Sequence, residues 1–175
     1  GEANTAMGAR AGEDITTGDR NTLLGTLAGD NATTLDDLTA VGYGAGGGAG
    51  TKTGHDNTCV GVNALGTFTS GASNTAIGRN AGDAITTGSN NTCIGFNTDP
   101  SAADGGNQIV LGFGTIGHGD AKFTFGQDSG SDRVFNAFQS NASFTRVSDV
   151  RYKEEIQDNT DCGLALINDL RPVTF

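Results

Sequence analysis

Seven glycines, at positions 8, 25, 42, 61, 78, 95 and 112, are separated by 17, 17, 19, 17, 17 and 17 residues. Most of them close the motif Asn-Thr-x-Φ-Gly, with Φ aliphatic, as in Asn4 to Gly8, Asn21 to Gly25, Asn57 to Gly61, Asn74 to Gly78 and Asn91 to Gly95. Worn copies stand at Leu38 to Gly42 and Gln108 to Gly112. An alanine follows three residues after five of these glycines, as Ala11, Ala28, Ala45, Ala64 and Ala81, with Thr98 in the sixth place. A period this short is half of what a helical-hairpin repeat needs, ~33 residues or more. Each regular run lasts about five residues before a turn, a strand length rather than a helix length. One repeat is therefore expected to form one coil of a parallel β-roll or β-helix, with coils stacked ~4.8 Å apart. Glycine at the strand end supplies a corner that other residues enter only with strain. The asparagine before each strand can bond its own turn or stack as a ladder.

Two positions inside the motif carry most of the packing information. The x position reads Ala6, Leu23, Ala40, Cys59, Ala76, Cys93 and Val110, and the Φ position Met7, Leu24, Val41, Val60, Ile77, Ile94 and Leu111. Neighbouring strand residues face opposite ways, so both faces of the wall are apolar and both call for cover. A thin solenoid covers only its inside. The simplest cover for the other face is another copy of the chain, most simply three copies around a common axis. Cys59 and Cys93 lie two coils apart, ~9.6 Å along the stack, beyond disulfide reach. They read as small buried residues.

The two extra residues of the 19-residue unit fall in the glycine-rich stretch from Gly46 to Gly54, a turn. Glycine then thins out: 26 of the 29 lie at or before Gly119, whereas 7 of the 9 phenylalanines lie from Phe113 onward. This divides the chain into a solenoid shaft over 1–119, a small β cap over 120–147, and a charged C-terminal segment over 148–175. Strands are expected at Lys122 to Gly126, Arg133 to Phe138 and Ser143 to Val147. A short amphipathic helix is expected at Leu164 to Leu170, stopped by Pro172.

Charge excludes other classes. Twenty acids against 10 bases leave a net charge of −10. With no basic stripe, neither nucleic acid nor an anionic membrane surface is an expected partner. No apolar run approaches the ~20 residues of a spanning helix, so membrane insertion is not expected. Three cysteines, Cys59, Cys93 and Cys162, make no framework, and with only His55 and His118 no metal site or cofactor is expected. The carboxylates fall in coil corners, and no spacing singles out a facing pair.

The stretch Ser148-Asp149-Val150-Arg151-Tyr152-Lys153-Glu154-Glu155-Ile156, followed by Leu170-Arg171-Pro172-Val173-Thr174-Phe175, resembles the start of the peptidase S74 intramolecular chaperone. That family sits at the C-terminus of phage tailspikes, tail fibres and neck appendages. The resemblance implies a domain that assists trimerisation of the β-rich fibre before it. It also implies single-turnover self-cleavage between Ser148 and Asp149, with Ser148 as nucleophile and Lys153 as its base. The repeats separately resemble phage fibre shafts and the trimeric β-roll heads of bacterial adhesins. The expectation is a homotrimeric virion protein in a tail fibre or appendage, in contact with other tail proteins and with a host receptor, a glycan or a surface protein. Two rivals are a trimeric bacterial adhesin and a capsule-degrading tailspike enzyme, the latter needing paired carboxylates in one groove.

Overall fold

The computed structural model describes residues 1–128, 132–137 and 145–146. Ten strands form one sheet in chain order. They are β1 (Thr5–Met7), β2 (Thr22–Leu24), β3 (Thr39–Val41), β4 (Thr58–Val60), β5 (Thr75–Ile77), β6 (Thr92–Phe96), β7 (Ile109–Phe113), β8 (Lys122–Gln127), β9 (Arg133–Ala137) and β10 (Thr145–Arg146). From β1 to β8 every pairing is parallel, and β8, β9 and β10 pair antiparallel. The chain is an all-β parallel solenoid of ~17-residue coils, and no helix occurs among the described residues.

The register is the repeat made physical. Thr22 pairs with Thr39, Leu23 with Ala40 and Leu24 with Val41, and likewise up the stack. Stacking runs on past the last motif glycine, because β8 adds an eighth rung with Gly112 opposite Gly126. The three expected strands after Gly119 form as β8, β9 and β10. The expected helix at 164–170 lies outside the described residues, as do Ser148 and Lys153.

The x column fills the interior. Leu23, Ala40, Cys59, Ala76, Cys93 and Val110 are fully buried, with Ala28, Ala45, Ala64 and Ala81 from the next side of each coil. Leu35, Leu65, Phe68 and Ile85 close the remaining side, and all of these form one core cluster. Where the alanine column ends, Thr98 and Thr115 continue it, both buried. Thr115 donates from Oγ1 to the Gly126 carbonyl at 2.7 Å, so its hydroxyl is satisfied inside the apolar wall.

Buried asparagines tie the coils together. Asn74 N donates to Asn57 Oδ1 at 2.9 Å, Asn91 N to Asn74 Oδ1 at 2.9 Å, and Gln108 N to Asn91 Oδ1 at 3.1 Å. Their amide nitrogens turn to the same chain's corners, Asn74 Nδ2 to Gly88 O at 2.9 Å and Asn91 Nδ2 to Gly105 O at 2.8 Å. A buried polar side chain is tolerable only when so satisfied. Leu38 interrupts the ladder; its own amide still donates to Asn21 Oδ1 at 2.9 Å.

Candidate functional site

The second apolar face is on the outside. Along the stack, Met7, Leu24, Ile77 and Ile94 are exposed, and Val41, Val60 and Leu111 are half-buried. Strand alternation demands this: with x turned inward, Φ must point outward. Past some of the corner glycines the next residue widens the stripe, as Val62, Phe96 and Phe113 do, all exposed. Phe96 and Phe113 stack with ring centroids 5.0 Å apart, and the Arg79 guanidinium sits 5.8 Å above the Phe96 ring. At its C-terminal end the stripe opens into an apolar trough of about 610 Å³, lined by Leu111, Phe123 and Phe125. A continuous apolar stripe across eight rungs exceeds the scattered exposed residues that need no explanation.

The carboxylates do bring one pair together, at coil corners on neighbouring rungs. Asp83 and Asp99 are near enough for their carboxyls to influence each other, and the Ala84 amide donates to Asp99 Oδ1 at 3.0 Å. Burial pushes the Asp99 carboxyl up to about 6 against the pull of the Ala84 bond, with the Asp83 charge adding to the rise. Burial likewise raises Asp83. Asp99 is a partly buried acid with an acidic neighbour at a coil corner.

The two cysteines among the described residues are enclosed, and the two histidines are held by neighbours. Cys59 and Cys93 are free and buried, and burial lifts both thiols to about 12, far from a thiolate. His55 Nδ1 accepts from the Asp36 amide at 3.0 Å. His118 stacks on Phe135 at 3.7 Å between centroids, and burial, with Lys122 and Arg133 nearby, lowers its pKa. Among the described residues no group of three or more acidic, histidine or cysteine side chains could hold a metal.

One interior cation escaped the sequence reading. Lys52, in the 19-residue coil, is fully buried. Its Nζ donates to Phe68 O at 2.6 Å and to Ala49 O at 3.3 Å, and it lies 5.1 Å from the Phe68 ring centroid. Burial lowers its pKa. The lysine fills the space that the longer coil opens and anchors the glycine-rich turn from beneath.

Comparison with protein-family models, curated proteins and solved structures gives no match for this chain. The fold therefore rests on its own geometry, a β-solenoid whose inner wall is complete and whose outer wall is apolar. Among the described residues no helix is long and apolar enough to cross a membrane.

Proposed function

We propose that this chain is a structural shaft: a homotrimer assembled along its outer apolar stripe, serving host-surface attachment in a phage tail fibre or appendage. The observation that carries the reading is the outward Φ column from Met7 to Leu111, repeated in register on every coil. A second copy aligned in parallel offers the same residue at the same height, so the contact repeats at each rung. Closed rotational symmetry around an axis parallel to the stack satisfies every copy equally. The trough at Leu111, Phe123 and Phe125 extends the same contact beyond the regular coils. Three copies, a virion location and a C-terminal chaperone come from the resemblance of the repeats and of residues 148–175. Other tail proteins and a host glycan or surface protein are the partners this reading implies.

Light scattering coupled to size exclusion tests the assembly. The chain is expected at three times its monomer mass, and Ile77→Asp with Ile94→Asp is expected to give monomers with unchanged circular dichroism. A stable monomer of the unmodified chain overturns the shaft. The chaperone is tested separately, on a protein carrying the complete C-terminal domain. Release of a fragment beginning at Asp149, abolished by Ser148→Ala, is the expected result; an uncleaved chain removes self-cleavage.

A further inference from the structure

The fifth residue after each corner glycine forms a column of its own: Glu13, Asp30, Gly47, Gly66, Asp83 and Pro100. Three coils carry an acid at this corner, and the two consecutive coils between Asp30 and Asp83 carry glycine. A groove of about 340 Å³ lies here, with both Asp30 and Asp83 among its lining residues. Gly44, Gly48 and Gly66 line it together with Tyr43, Asn63 and Thr67. Asp30 and Asp83 are three coils apart, which sets roughly 14 Å between their rungs.

We propose that this groove binds a short, uncharged oligosaccharide laid along the solenoid axis. Tyr43 is 53% exposed at its wall, an aromatic surface with a hydroxyl tip that suits the apolar face of a sugar ring. Carboxylate, amide and hydroxyl groups on successive rungs match a chain of sugar hydroxyls, which both donate and accept. Asp30 is nine-tenths buried, and its Oδ1 forms an ion pair with the Arg10 guanidinium at 3.5 Å, which holds the acid at this corner. An anionic chain would meet two carboxylates on a protein of net charge −10. An extended peptide needs free backbone edges, and here they are spent: Gly44 N donates to Thr26 O at 3.0 Å and Gly46 N to Ala64 O at 2.9 Å. The ~14 Å between the two acids exceeds the separation of a glycosidase pair, so the groove holds its ligand without cleaving it.

This gives the attachment reading above a place and a ligand class, and it rests on that reading for its biological use. Saturation-transfer NMR with cellotriose, maltotriose, laminaritriose and chitotriose tests it. Transfer to at least one trisaccharide is expected, with affinity falling about tenfold or more in Tyr43→Ala. Gly66→Asp, which restores an acid to the column and fills the groove, is expected to abolish binding. Tyr43 is an exposed side chain, so its variant reports even if Gly66→Asp fails to fold. Transfer from none of the four, binding that survives both substitutions, or displacement by pentalysine overturns the proposal. A monomer that binds the sugar keeps the groove and removes the trimeric shaft; a trimer that binds none does the reverse.

Discussion

Leu23 and Leu24 are the same residue, adjacent in one three-residue strand, and they have opposite surroundings: Leu23 is 0% exposed and Leu24 is 37% exposed. The strand is a wall one residue thick, with the solenoid core behind it and the outer stripe in front. Leu23→Ala is expected to cost about 2–5 kcal/mol of folding stability, the usual range for truncating a buried leucine. Leu24→Ala is expected to cost about 1 kcal/mol or less in the isolated chain, and to register as weaker assembly. Urea midpoints of the two variants at low protein concentration check this. Equal losses would contradict the inward placement of x.

Corner glycines are where the coils come closest. Gly78 has φ +133°, and a Cβ there would lie 2.2 Å from the Gly95 carbonyl oxygen. Gly78→Ala therefore meets both an unfavourable backbone conformation and a backbone clash, and is expected to destabilise by well over about 1 kcal/mol. At Gly66 the nearest atom, Asn63 O, would be 3.1 Å away and φ is not in the left-handed region. Gly66→Ala should shift the thermal midpoint much less. A larger shift at Gly66 than at Gly78 would mean that the corners are not the close-contact points.

The asparagine ladder makes a different prediction, because its side chains serve two coils at once. Asn74→Ala strands the Gly88 carbonyl and the Asn91 amide, both partners of that side chain. Each buried group left unpaired costs about 1–3 kcal/mol. Hydrogen exchange is the sharper readout: the Asn91 amide should lose protection first. Protection unchanged at Asn91 would show that this bond contributes little.

Asp99 sets a pH dependence whose sign is opposite to that of a salt-bridged acid. Its folded value is raised from 3.8 to about 6. The native state therefore holds its proton in a range where the unfolded chain has released it. Stability from this group is present below about 4 and is lost as pH rises through about 6. Asp99→Asn, which stays neutral, should flatten that part of the profile and should stabilise the protein at pH 7 relative to pH 4, compared with the unmodified chain. Urea midpoints at the two pH values check it. A profile identical in both proteins would contradict the burial that raises Asp99.

Much of this architecture was legible from spacing alone, and the exceptions have physical reasons. The glycine period fixed the coil, because only a corner revisited on every turn needs glycine at one interval. The alternation of x and Φ showed two apolar faces, but not which faced inward, since both hold residues that can be buried. The inner column tolerates alanine and cysteine at Ala40, Cys59, Ala76 and Cys93 because the coil is narrow there. Gly126 was missed as a rung because the loop before it is shorter than the period, although its strand stays in register. Lys52 could not have been found, as a lysine among turn glycines reads as solvated until the coil is seen to bulge around it. The groove did leave a trace: with the coils aligned, Gly47 and Gly66 stand where neighbouring coils carry Asp30 and Asp83. Ser148 and Lys153 lie outside the described residues.

Because like sits on like from β2 to β6, the coil is an interchangeable part. A unit such as 62–78 could be excised or duplicated with threonine still on threonine and glycine still on glycine. The length of such an object is counted, not continuous: it changes in steps of ~4.8 Å, one for every 17 residues gained or lost. A gene encoding it can lengthen or shorten its reach by recombination alone, without inventing a new contact.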